Sequence, residues 1–123
     1  MGEKKTILVI DDDPDIIETV QMILSSQGYG ILSASSGSQG LEMLKVNRPD
    51  LILCDMMMEA IDSGVQTAER IRREHGTVPV FLLSSIAEMT AATTKIQDLG
   101  FNGVIQKPID PARLVGTVKN LLG

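Results

Sequence analysis

The sequence predicts an α/β fold: a doubly wound, five-stranded parallel sheet with five helices on its two faces. Three observations lead there. Short apolar runs rich in β-branched residues recur along the chain, and segments of helical period separate them. The connections are short, as the crossover units of a parallel sheet require. The runs also stay apolar through successive residues instead of alternating, which marks strands covered on both faces.

Thr6-Ile7-Leu8-Val9-Ile10 is the first strand, apolar almost throughout. Asp13 suits the N-cap of the helix that follows, and Pro14 suits its first position, where proline's missing donor would have no partner anyway. Ile16, Ile17, Val20, Ile23 and Leu24 recur at helical spacing on one face, and Gly28 closes the helix. A short second strand spans Gly30 to Ala34. The next helix takes Ser36 as N-cap and turns Leu41 and Leu44 inward, and Asn47-Arg48-Pro49-Asp50 turns the chain into the third strand.

That third strand, Leu51-Ile52-Leu53-Cys54, runs straight into Asp55 and is the centre of the fold. A helix carrying Val65, Ala68 and Ile71 follows, closed by His75-Gly76. Val78 to Leu83 forms the fourth strand, ending in Ser84-Ser85. A helix from Glu88 to Leu99 contains Thr90, Thr93 and Thr94, which are mediocre helix formers. Gly103-Val104-Ile105-Gln106 is the fifth strand. Asp110 then caps a last helix with Pro111 in its first turn and Leu114, Val118 and Leu121 facing inward.

The totals fit one domain over residues 1–123, long enough to bury a core without staples. Apolar residues make up 43% and charged residues 22%, as in globular chains. A net charge of −5 makes nucleic acid and anionic membranes poor partners. No apolar run is long enough to span a bilayer, and no signal-peptide pattern opens the sequence. The single Cys54 can form no internal disulfide, which suits a cytoplasmic location. From a buried strand it should pack as a small hydrophobe rather than act as a redox sensor. No Gly-x-x-x-x-Gly-Lys-Ser/Thr loop appears, which argues against a nucleotide hydrolase.

In an open parallel sheet the carboxyl ends of the strands share one edge, where ligands bind. The first strand ends in Asp11-Asp12-Asp13, the third in Asp55, the fourth in Ser84 and the fifth in Lys107. Carboxylates about 4 Å apart repel by roughly 4 kcal/mol per pair at an effective dielectric of 20. A hard divalent cation such as Mg2+ offsets that repulsion, because it takes oxygen ligands. It can also bridge to a phosphoryl oxygen within reach of an aspartate nucleophile. Ser84 and Lys107 then suit the remaining phosphoryl oxygens, one as a hydroxyl donor and one as a point charge.

The runs Ile7-Leu8-Val9-Ile10-Asp11-Asp12, Arg48-Pro49-Asp50-Leu51-Ile52-Leu53-Cys54-Asp55 and Lys107-Pro108 resemble the receiver domain of two-component response regulators, and the resemblance covers essentially the whole chain. It implies a flavodoxin-like sheet of strand order 2-1-3-4-5. It also implies that Asp55 takes a phosphoryl group from a phosphohistidine on a sensor histidine kinase or phosphotransfer protein. By the same match Asp12 and Asp55 bind Mg2+ directly, Asp11 holds it mostly through water, and the backbone carbonyl of Met57 is a further ligand. Ser84 and Lys107 stand at the family's phosphate-contacting positions, and the Lys107–Pro108 bond matches one that is usually cis. The implied role is a signalling switch with autophosphorylation and autodephosphorylation chemistry, acting on an output domain or target protein, with homodimerisation through the last two helices as an option.

Three departures from the family pattern stand out. Glu59 replaces a usual proline, and Asp62-Ser63-Gly64 replaces a tight Asp-Gly pair. Val104 occupies the place of the switch aromatic. Met57 and Ile86 flank the expected phosphate with apolar groups, which should obstruct the attacking water and prolong an aspartyl phosphate. Two rival readings exist. Asp11-x-Asp13 also resembles the nucleophile motif of haloacid-dehalogenase-type phosphatases, with Asp11 as nucleophile and Asp13 as acid–base. A receiver-like docking module that takes no phosphate is the other.

Overall fold

A computed structural model describes residues 4–55, 70–71, 73–74, 78–84 and 102–122. Five strands form, in chain order β1 (Thr6–Ile10), β2 (Gly30–Ala34), β3 (Leu51–Asp55), β4 (Val80–Ser84) and β5 (Gly103–Gln106). All neighbours pair parallel, in the order β2-β1-β3-β4-β5. The expected sheet is therefore present, with the Asp-bearing strands β1 and β3 side by side at its centre. The fourth strand begins at Val80 rather than Val78, because Pro79 has no donor for the ladder; its carbonyl still accepts from Ile52 N at 3.0 Å.

Successive side chains along each strand point to opposite faces, so the continuous apolar runs feed two cores. Leu8, Ile10, Ile52, Cys54, Val80 and Leu82 pack on one face with Ala34, Leu44 and Ile71. Ile7, Val9, Leu51, Leu53, Leu83 and Ile105 pack on the other with Val20, Leu24, Tyr29, Leu114 and Val118. Cys54 is fully buried among these groups, as a small packed hydrophobe should be.

Three helices are described: α1 (Pro14–Ser25), α2 (Gly37–Met43) and α3 (Pro111–Leu122). Helix α1 starts at the expected cap, with Asp13 accepting from Asp15 N at 2.9 Å. It ends through a turn in which Gly28 takes φ +92°, a left-handed conformation that suits glycine, and Tyr29 N donates to Leu24 O at 3.2 Å. Helix α2 is capped by Ser36, which accepts from Gln39 N at 3.1 Å. Gly40 lets α2 lie against β1: a Cβ there would fall 2.5 Å from Ile10 Cδ1.

Asp110 accepts from Ala112 N at 3.1 Å at the start of α3. Leu114 and Val118 are buried as expected, but Leu121 is 40% exposed and Leu122 packs inward in its place. Both positions satisfy the helical period, 121 at i+3 from Val118 and 122 at i+4, and at this helix end the packing takes Leu122. Arg70, Ile71, Arg73 and Glu74 are helical, and Ile71 is fully buried on the expected face. Val65, Ala68, the His75-Gly76 stop and the helix expected over Glu88–Leu99 lie outside the described residues.

Candidate functional site at the carboxyl edge of the sheet

Asp11 continues β1 by one residue. Its N–H donates to Ala34 O at 3.0 Å, so the ladder to β2 fixes the backbone that carries it. The Asp11 side chain is fully buried, and its Oδ1 accepts from Asp13 N at 2.8 Å. Asp12 is exposed, whereas Asp55, the last residue of β3, is only 3% exposed. Lys107 follows β5, and its N–H donates to Ser84 O at 2.8 Å, extending the β4–β5 ladder.

These ladders bring the side chains together. Lys107 Nζ lies 3.1 Å from Asp55 Oδ1 and 3.1 Å from Asp11 Oδ2, so one cation joins two strand ends. Apart from that ion pair, Asp11 Oδ2 is buried without a hydrogen bond among the described residues. Asp11, Asp12 and Asp55 each turn a carboxylate oxygen to within 4.8 Å of the others. This donor set is all oxygen and includes a buried, under-satisfied acceptor. It fits a hard cation such as Mg2+ and offers nothing to thiophilic metals.

The electrostatics follow from burial. Desolvation raises the Asp11 carboxyl above its ordinary 3.8; the Asp13 N–H and Lys107 pull it back, while Asp12 pushes it further up. For Lys107, burial acts to lower the pKa, but the carboxylates of Asp11 and Asp55 outweigh it, and the net shift is upward from 10.5. Burial also raises the Cys54 thiol, with Asp55 and Asp11 adding to the effect, so it is no thiolate at neutral pH.

Of the residues singled out from sequence, Asp11, Asp12, Asp55 and Lys107 converge on one spot. Ser84 ends β4 one residue beyond Leu83, the partner of Asp55 across the sheet, and is fully buried. Met57, Glu59, Asp62 and Ile86 lie outside the described residues. The Lys107–Pro108 bond is cis, as the resemblance implied. Sequence reasoning missed the Asp13 N–H as the partner of Asp11. The signal was available: an Asp side chain can accept from the backbone N–H two residues on, as in an Asx turn, and Asp11 and Asp13 form two such turns in tandem here.

The family model of the response regulator receiver domain matches residues 7–119 of this chain. The chain belongs to the response regulator receiver domain family. The transcriptional regulatory protein CseB of Streptomyces avermitilis is 35% identical over 122 residues, covering 99% of this chain and 51% of that protein. The phosphate regulon regulator PhoB of Pseudomonas aeruginosa is 36% identical, covering 96% of this chain and 52% of that protein. The chain thus spans about half the length of the curated relatives it matches. Among solved structures, the receiver domain of NtrX from Brucella abortus superposes with a TM-score of 0.86 at 27% identity, covering 94% of this chain and 97% of that one.

As a receiver domain of two-component response regulators, the chain is a signalling switch of the kind that phosphorylation controls. Such regulators work with histidine kinases and with output domains or targets. The haloacid-dehalogenase reading falls with this membership. No helix among the described residues is long and apolar enough to cross a membrane.

Proposed function

We propose that Asp55 accepts a phosphoryl group from a phosphohistidine on a sensor histidine kinase or a phosphotransfer protein. A carboxylate oxygen of Asp55 attacks phosphorus; the new O–P bond forms as the P–N bond breaks, and its electron pair leaves with the imidazole. The observation that carries this reading is Lys107 Nζ at 3.1 Å from both Asp55 Oδ1 and Asp11 Oδ2. A cation so placed holds the acceptor in position and compensates the charge that arrives with the phosphoryl group.

Asp11, Asp12 and Asp55 are the residues that would hold Mg2+, with the Met57 carbonyl as the further ligand the family resemblance suggests. The ion would supply charge neutralisation at the phosphoryl oxygens. Ser84, at the end of β4, is the hydroxyl proposed to turn toward the phosphate. Water attack on the aspartyl phosphate returns the domain to its starting state. The protein would work in the cytoplasm, and an output domain or target would read the face formed by β5 and α3. An open groove of about 700 Å3 lies there, lined in part by Val104, Gln106, Arg113 and Thr117.

The test is intact mass after incubation with acetyl phosphate and Mg2+, with and without a chelator. Gain of one phosphoryl group that needs Mg2+ and disappears in Asp55→Asn supports the reading. A gain that survives Asp55→Asn and disappears in Asp11→Asn moves the nucleophile. Absence of any gain, with a cognate kinase as well, leaves the docking module.

A further inference from the structure

Asp13 is not one of the three carboxylates that close to within 4.8 Å of one another, yet it is tied to the site by its backbone. Its N–H donates to Asp11 Oδ1 at 2.8 Å. That bond takes up one oxygen of Asp11 and leaves Oδ2 facing Lys107 at 3.1 Å. The Asp13 backbone is itself held in place. Its side chain accepts from Asp15 N at 2.9 Å, and its carbonyl accepts from Ile16 N and Ile17 N at 3.1 and 3.2 Å. With φ −94° and ψ 110° the residue sits in the extended N-cap conformation, followed by Pro14, whose ring disfavours a helical conformation in the residue before it.

We infer that Asp13 is a positioning residue for the cation site: its side chain caps α1, the cap fixes its own N–H, and that N–H aims Asp11. The inference rests on the reading that Asp11, Asp12 and Asp55 hold Mg2+. The part the side chain plays is that of a neutral acceptor, because what reaches Asp11 is the backbone donor and not the Asp13 charge. Asparagine or serine at this position can make the same cap; alanine cannot. Groups that orient a metal ligand without touching the metal typically set its affinity, and their loss weakens binding by roughly tenfold or more.

The experiment is a calorimetric titration of the intact protein with Mg2+ alone, on wild type, Asp13→Ala, Asp13→Asn and Glu18→Gly. Glu18 is an exposed position in the middle of α1, so its glycine variant weakens the helix without touching the loop. Weaker Mg2+ binding by roughly tenfold in Asp13→Ala, with Asp13→Asn and Glu18→Gly close to wild type, supports the inference. Equal loss in Asp13→Ala and Asp13→Asn makes the Asp13 charge responsible and overturns it. Equal loss in Asp13→Ala and Glu18→Gly reduces Asp13 to a helix stabiliser and overturns it too. A wild type that binds no Mg2+ overturns the cation reading itself, whereas a wild type that binds Mg2+ no more tightly than Asp13→Ala does overturns the positioning inference alone. Hydrogen exchange at the Asp13 amide is a second readout, faster in the alanine variant and restored in the asparagine variant.

Discussion

Lys107 Nζ and Asp55 Oδ1 stand 3.1 Å apart across 52 residues of sequence, joined by the parallel register of β3, β4 and β5. The same ammonium group reaches Asp11 Oδ2, so the resting site is an ion triad at the edge of a buried sheet. Removing the cation takes away the charge that compensates both buried carboxylates across these two contacts.

Lys107→Ala should therefore destabilise the fold by about 3 kcal/mol at neutral pH, the scale of breaking a buried pair from one side. Urea unfolding checks this through a lower midpoint at unchanged slope. Because the folded-state pKa of Lys107 lies above its ordinary 10.5, its contribution is fully present below pH 10.5 and is lost as pH rises through the raised value. The gap between wild type and variant should close in that alkaline window. A variant as stable as wild type at pH 7 would mean that the ion pairs add nothing.

Asp11→Asn should do the opposite. Burial raises the Asp11 carboxyl above 3.8, so the folded state binds its proton more tightly than the unfolded state does. Ionising Asp11 therefore costs stability, which falls as pH climbs from 3.8 through the raised folded value. Asparagine keeps an oxygen for the Asp13 N–H and relieves the repulsion with Asp12 and Asp55, while Lys107 retains Asp55. The variant should be more stable by on the order of 1 kcal/mol at pH 7, after the lost Lys107 pair is counted. Unfolding curves across the acid range should show the advantage growing with pH; a constant difference would refute the burial argument.

The glycines give a paired prediction. A Cβ at Gly40 would fall 2.5 Å from Ile10 Cδ1 in a packed core, whereas one at Gly116 in α3 meets nothing within 4 Å among the described residues. Gly40→Ala should lose about 1 kcal/mol net, overpacking against Ile10 outweighing the gain in helix propensity. Gly116→Ala should gain about 1 kcal/mol, because only propensity changes. Thermal melts of the two variants should move in opposite directions, and movement in the same direction would contradict the packing described around Gly40.

The five strands were legible in the sequence because burial on both faces makes each a continuous apolar run bounded by turn residues. Asp13, Pro14 and Gly28 marked the ends of α1 through chemistry that acts within a few residues. Leu121 was misread because a run of apolar residues at a helix end does not say which of two adjacent leucines lies on the buried row. Long-range ties were illegible. Asp50 accepts from Thr6 N at 2.8 Å, and Asn102 accepts from Val80 N at 3.0 Å, each holding the start of a strand far away in sequence. Nothing local announces such partners. The site residues were found because parallel topology carries strand ends to one edge, but the sharing of Lys107 between two acids needed coordinates.

The most direct test of the account is chemical mapping of the acceptor. After phosphorylation with acetyl phosphate and Mg2+, borohydride reduction converts an aspartyl phosphate to homoserine, which peptide mass spectrometry can locate. The account predicts homoserine at position 55 and at no other aspartate. Homoserine at position 11 or 12, or a phosphoryl group that survives on a serine such as Ser84, would contradict it.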